Sequence, residues 1–278
     1  AYRSAESQAI VRTYIGLAVA LAVIAGAVWI YRNRLPHDAA AMDTAALTSP
    51  SRYLVGIALV AIGLWFAVSE SVSAQVMGVV LMTAAAALWL VGNPLMPRAR
   101  FSFGALCIFL YVGAEVAIGS LIVNYLMQDS VMGLEEQAAG KLIAYYWGGA
   151  LVGRLIGSGV LRIVSPGLVL TGVALGAITL LAISTNTQGV VAGYSLLAIG
   201  LMNSIMFPTI FSLACEKLGA RAADGSGIIN IAIFGGAVVP LLTGMLADAS
   251  GSLATAMILP ALCYAIIAAF GIFARRPA

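Results

Sequence analysis

Charge is scarce in this chain of 278 residues: Asp, Glu, Lys and Arg together make up 9% of it, against about 25% in soluble domains. A water-soluble globule of this size needs a charged surface to stay apart from its neighbours. The shortage therefore excludes a disordered chain and an ordinary cytosolic enzyme. Histidine is nearly absent, and the single His37 stands in a polar linker, so no histidine triad or histidine metal cluster can be assembled. Cys107, Cys215 and Cys263 are isolated within apolar stretches, which argues against a disulfide framework and against a structural metal site. Neither a metal nor a cofactor is expected. The net charge of +3 is too small to call for a nucleic-acid partner.

What the chain has in abundance is apolar sequence, at 62% of its residues. Residues 163–215 contain no charged side chain, and only the polar cluster at 184–189 divides that run. Taking about 20 apolar residues per crossing of a bilayer, the sequence predicts an all-α, polytopic transmembrane bundle of nine spans. These run at 10–31, 53–69, 74–93, 103–126, 141–162, 167–184, 189–213, 225–247 and 252–274. Strands are excluded as spanning elements because the runs are continuous, and an unpaired strand leaves its backbone unsatisfied in lipid.

Lysine and arginine give the orientation. With a cytoplasmic C-terminus, eleven of the 14 cations fall inside: Arg32, Arg34, Arg52, Arg98, Arg100, Arg154, Arg162, Lys217, Arg221, Arg275 and Arg276. Only Arg3, Arg12 and Lys141 fall outside, as the positive-inside rule requires. Nine spans then place the N-terminus outside, although residues 1–9 are too short and polar to direct export. The expectation is that the chain is the C-terminal part of a longer protein in a bacterial-type inner membrane. Residues 32–52 form a cytoplasmic linker, and residues 127–141 an acidic outer loop.

The candidate functional residues are those that lipid should reject. A carboxylate near mid-bilayer costs about 2.5–3.5 kcal/mol on insertion scales, and Glu115 lies at the centre of its predicted span. It either faces a polar pathway, binding a solute or a proton, or holds two helices together as a structural carboxyl. Asn124, Asn203 and Asn230 are amides within spans. Each could bind a ligand or serve as interhelical glue, worth roughly 0.6–2 kcal/mol. Tyr111 precedes Glu115 by four residues and shares its helix face. Asn124 follows Glu115 by nine residues, about 900° of helix rotation, so both could face one cavity only if the helix unwinds at Gly113 or Gly119. Gly149, Gly153 and Gly157 recur every four residues, a stripe suited to close helix packing. Arg154 in the same segment could gate an inner mouth or merely anchor it. Tyr145, Tyr146 and Trp147 read as an aromatic belt. Pro208 and Pro240 sit within spans, where each removes a helix hydrogen bond.

Four segments carry a resemblance. Phe109-Leu110-Tyr111-Val112-Gly113-Ala114-Glu115-Val116-Ala117-Ile118-Gly119-Ser120 resembles the seventh helix of the fucose/galactose/glucose–proton symporters of the major facilitator superfamily. Tyr146-Trp147-Gly148-Gly149-Ala150-Leu151-Val152-Gly153-Arg154 is similar to their eighth. Phe207-Pro208-Thr209-Ile210-Phe211-Ser212-Leu213 is similar to the end of their tenth. Gly235-Gly236-Ala237-Val238-Val239-Pro240, with Asp248, is similar to their eleventh. The likeness covers residues 101–278 and, more weakly, 1–35. It implies a C-terminal six-helix half at 101–278 and the last helix of an N-terminal half at 1–35. Residues 36–100 become a cytoplasmic linker with an extra transmembrane hairpin. It further implies uptake of a hexose or deoxyhexose by alternating access, driven by a proton or other cation. Glu115, with Tyr111, Asn124, Asn203 and Asn230, would line the sugar site, and the partners would be the sugar, the cation, the bilayer and the missing N-terminal helices.

Two other readings stay open: a major-facilitator efflux carrier for another small molecule, which would want an apolar aromatic pocket, and a structural membrane scaffold. An intramembrane enzyme would need a nucleophile–base pair or metal ligands, and no such constellation is visible, so no enzymatic role is expected. If the chain is a C-terminal part, the coding sequence upstream of Ala1 encodes about five more apolar spans of some 20 residues each. A start signal just before Ala1 would refute this.

Overall fold

The computed structural model of the chain describes residues 16, 19, 21–26, 50–67, 69, 71–90 and 93–275. Among these residues every regular element is helical. The chain divides into two compact units, Ala1–Thr44 and Ala45–Ala278. In the first, residues 21–26 are helical and exposed. Apart from residues 16 and 19, the remainder of the span expected at 10–31, and the linker up to residue 49, lie outside the described residues.

The second unit opens with α1 (Pro50–Ala67) and α2 (Val72–Leu90), two apolar helices packed as a hairpin. Gly63 makes this approach possible. A methyl group there would stand 2.7 Å from Met82 Cγ and 2.9 Å from the Gly78 carbonyl oxygen. Gln75 ties the turn by donating Nε2–H to the Ser69 carbonyl at 3.0 Å.

The rest is a bundle around α3 (Ala99–Met127), which touches six other helices. At 29 residues and 1.5 Å per residue, it is about 44 Å long and crosses the bundle unbroken. Around it lie α4 (Glu136–Val160), α5 (Pro166–Asn186), α6 (Gly189–Asn203), α7 (Met206–Ala214), α8 (Ala222–Ala232), α9 (Gly235–Ser250), α10 (Leu253–Ala256) and α11 (Ile258–Phe273). Three of the spans predicted as continuous are broken: 189–213 at residues 204–205, 225–247 at 233–234, and 252–274 at Met257. The first break has a local cause. Pro208 has no N–H to offer the carbonyl of Ser204, four residues earlier. The second falls just before Gly235 rather than at Pro240, which stays inside α9.

Five helical stretches are long and apolar enough to cross a membrane by length and composition: Ala99–Met127, Pro166–Asn186, Gly189–Ala214, Gly219–Ser250 and Leu253–Phe273. This is fewer than the nine expected. The first expected span lies largely outside the described residues. The hairpin's apolar cores, Leu54–Phe66 and Ser73–Leu88, are shorter. Glu136–Val160 is long enough, but Glu136, Lys141, Arg154 and six glycines dilute its apolar character.

Lipid gives helices no hydrophobic reason to associate, so small residues and interhelical bonds hold such bundles together. The Gly149–Gly153–Gly157 stripe of α4 lies against Leu201, Ser204 and Ile205, at the end of α6 and its break. Gly200 faces the Tyr146 main chain in return. Gly235 rests on the Phe109 main chain, and Gly113 on Val239. At one end of the bundle Arg100 closes the structure. Its Nε donates to the Leu213 carbonyl at 3.0 Å, a second nitrogen donates to the Ala274 carbonyl at 2.9 Å, and the guanidinium pairs with Glu216. At the other end, Gly189 N donates to the Ser130 carbonyl at 3.0 Å and Tyr125 to the Ser184 carbonyl at 2.8 Å.

Adding a methyl group where two backbones meet should be costly. Gly200→Ala is expected to destabilise the detergent-solubilised protein by about 1–3 kcal/mol. Gly148→Ala, on the same helix as the stripe but with nothing within 4 Å of the new methyl, should be neutral or better. Thermal unfolding of the two variants side by side checks this.

Candidate functional site

The helical rise of α3 places Tyr111 and Glu115 one turn apart on one face. The Tyr111 phenolic oxygen lies 2.8 Å from Glu115 Oε1 and 3.0 Å from the main-chain carbonyl of Asn203. That carbonyl ends α6, at the break. Asn203 is wholly buried, and its amide is engaged on both sides: Nδ2 donates to the Tyr146 hydroxyl at 2.8 Å, and Oδ1 accepts from the Tyr264 hydroxyl at 2.8 Å. Tyr146 in turn donates to the Glu115 main-chain carbonyl at 3.4 Å. One asparagine thus gathers tyrosines from α3, α4 and α11. Glu115 is half-buried at the edge of this network.

The second freed carbonyl of the break is also met. Arg154 Nε donates to Ser204 O at 3.2 Å, which supplies the bond that Pro208 cannot make. Its guanidinium is near enough for its charge to act on Glu115. Gly153 lets this happen, because a side chain there would occupy the place of Ser204.

The structure brings together Tyr111, Glu115, Asn203 and Arg154, but not the other two amides. Because α3 runs unbroken through Gly113 and Gly119, Asn124 stays on a different face from Glu115 and is exposed. The unwinding that could have united them does not occur; Gly113 serves packing instead. Asn230 is exposed too and donates its side-chain N–H to the Ser226 carbonyl of its own helix at 3.0 Å.

The belt reading of Tyr146 also requires correction. Tyr145 and Trp147 are exposed at 63% and 52%, but Tyr146 is completely buried. The signal was present: Tyr146, Ala150, Gly153 and Gly157 share one helical face, with spacings of four, three and four. Tyr264 stands in an apolar span where its neighbours in sequence do not single it out; the signal is that a buried phenol needs a partner. The Trp147 ring meets that of Tyr146 edge-on at 5.2 Å and stands over Gly119, one turn beyond Glu115. Phe207, just past the break, lies 6.3 Å from the Tyr111 ring. The site is therefore a carboxyl group flanked by aromatic rings at a helix break.

The chain is 52% identical over 173 residues to a glucose/galactose transporter of Brucella abortus, covering 62% of this chain and 42% of that protein. It is 42% identical over 182 residues to a putative glucose/galactose transporter of Helicobacter pylori, covering 64% and 44%. It is 33% identical over 182 residues to the L-fucose-proton symporter of Escherichia coli, covering 64% and 41%. Its homologues are sugar transporters. No protein-family model matches the chain. A crystal structure of FucP, a major facilitator superfamily transporter, in the outward conformation, superposes with a TM-score of 0.63 at 27% identity, over 74% of this chain and 54% of that one. A second, of the E. coli fucose:proton symporter, gives 0.62 at 26% identity over 93% and 65%. The fold is that of a major facilitator transporter, and the chain spans less than half the length of the curated relatives it matches.

Asn203 is expected to be the stability centre of the site. Asn203→Ala strands the buried Tyr264 hydroxyl at a cost of about 1–3 kcal/mol, and it takes from Tyr146 the N–H that its oxygen accepts while leaving the Tyr146 bond to the Glu115 carbonyl in place. Asn124→Ala, on an exposed face, should stay within about 0.5 kcal/mol of the wild type. Chemical denaturation in detergent compares the two.

Proposed function

We propose that this chain forms the C-terminal half of a secondary active sugar carrier that takes up a hexose or deoxyhexose by alternating access. The observation that carries the reading is Glu115, a carboxyl group held at the middle of α3 beside a broken helix, in a bundle whose relatives are named as sugar transporters and symporters. A carboxyl group can accept two sugar hydroxyls at once, and exposed aromatic rings suit the apolar face of a pyranose. Glu115 would bind substrate hydroxyls, with Tyr111 orienting it and Trp147 offering its ring. Asn203 holds the tyrosines in place from behind. Asn124 and Asn230, on exposed faces away from this cluster, would meet the substrate only along its route in or out.

In this reading residues 101–278 are one six-helix half, residues 1–35 close the other half, and residues 36–100 add a linker and hairpin between them. The missing partner is then a second set of membrane helices. The driving ion is a proton or another cation, and the chain does no chemistry on the sugar. Arg154 and the glycine stripe of α4 stand where an inner mouth would open and close, since they pack on the break of α6 and α7. The C-terminus would be cytoplasmic in an inner membrane. In support, Arg98, Arg100, Lys217, Arg221 and Arg275 all belong to the end of the bundle that Arg100 ties together.

Uptake of labelled glucose, galactose and fucose into cells or proteoliposomes tests the proposal, using the full-length carrier. Glu115→Ala is expected to reduce uptake to background while leaving the protein in the membrane. Unchanged uptake in that variant would remove Glu115 from the site. Absence of uptake of any hexose or deoxyhexose by the wild type would overturn the function itself.

A further inference from the structure

The polar network around Asn203 is short of one proton. Its hydrogens can be counted. Tyr264 has one O–H, directed at Asn203 Oδ1. Asn203 Nδ2 gives one N–H to Tyr146. Tyr146 has one O–H, directed at the Glu115 main-chain carbonyl. Tyr111 also has a single O–H, yet its oxygen sits within bonding distance of two acceptors, Glu115 Oε1 at 2.8 Å and the Asn203 carbonyl at 3.0 Å. A phenol has one donor and can accept as well. A carboxylate and a carbonyl have none to give.

We infer that Glu115 carries a proton in this conformation and donates it to the Tyr111 oxygen, which frees the Tyr111 O–H for the Asn203 carbonyl. Every polar contact of the network is then satisfied. Glu115 thereby becomes a proton-binding site in the C-terminal half, connected through one phenol to the main chain at the break between α6 and α7. When the proton leaves to water, the Tyr111 O–H turns to the carboxylate. The Asn203 carbonyl, wholly buried, then loses its donor. Among the described residues no main-chain N–H is bonded to this carbonyl. Loss of the proton therefore withdraws a bond from the point where the helix is interrupted, and its return restores that bond. Among the described residues, the other titratable and charged groups that act on Glu115 or are acted on by it are Tyr146 and Arg154 from α4 and Tyr264 from α11. The tyrosines are committed donors. Arg154 is held by the Ser204 carbonyl one residue beyond Asn203, so the two carbonyls of the break depend on two groups that also act on Glu115.

This inference adds a proton to the sugar site proposed above, but it can be tested without transport. The probe is infrared spectroscopy of the full-length carrier in proteoliposomes at neutral pH, in H2O and D2O. A carbonyl-stretch band of a protonated carboxyl group, shifted in D2O, is expected in the wild type. It should be lost in Glu115→Gln, moved but retained in Glu115→Asp, and shifted in Tyr111→Phe, where the acid loses its acceptor. Should Glu115→Gln fail to fold, the shift in Tyr111→Phe decides alone. A carbonyl region that none of these variants alters overturns the inference. If the band is absent while the wild type still takes up sugar, the proton site falls and the transport reading stands. If the band is present without any sugar uptake, the reverse holds.

Discussion

A helix interrupted inside a bilayer exposes carbonyls that lipid cannot bond, and everything around the candidate site follows from answering that demand. Pro208 denies a donor to Ser204, and α6 stops at Asn203. Both carbonyls are bonded from other helices: Asn203 by Tyr111 of α3, and Ser204 by Arg154 of α4. The break is thus held open by groups that would be costly to bury for any other purpose. A tyrosine, an arginine and a glutamate meet at the break because each compensates something another has left unmet.

Close packing makes these bonds reachable. Arg154 can approach Ser204 only because Gly153 leaves room, and Tyr146 can reach Asn203 only because Gly200 lets the α4 main chain come near. The glycine stripe and the polar cluster are therefore one arrangement. The stripe sets the distance between α4 and α6, and the polar groups use that distance. The tight contact of Gly235 on Phe109 brings the start of α9 against α3 one and a half turns before Glu115, so the two breaks lie on either side of the same helix.

The two ends of the bundle are settled differently from its middle. Arg100 binds the Leu213 carbonyl in the last turn of α7 and the carbonyl of Ala274 just after α11, where helix dipoles accumulate negative charge, and it also pairs with Glu216. Read along the sequence, this arginine was one more inward-side cation. In the fold it joins three chain segments, one of them 174 residues away.

The sequence alone was enough to determine the medium and the helical class, though not where the helices break. Long uncharged runs with so few charges admit only helices in lipid. The four-residue spacing of Tyr111 and Glu115 fixed their common face, and the stripe at 149, 153 and 157 announced a close approach. What it could not determine was which helix approaches and which polar groups meet. Asn203 finds Tyr146 at a separation of 57 residues and Tyr264 at 61, and nothing local to either tyrosine distinguishes a buried node from an interfacial belt. Asn124 and Asn230 carry the same chemistry as Asn203 but turn to other faces. The rotation of each helix about its axis is set by packing against its neighbours. That is why composition and spacing settled the kind of molecule, while only the tertiary structure decided which of its few polar side chains share a site.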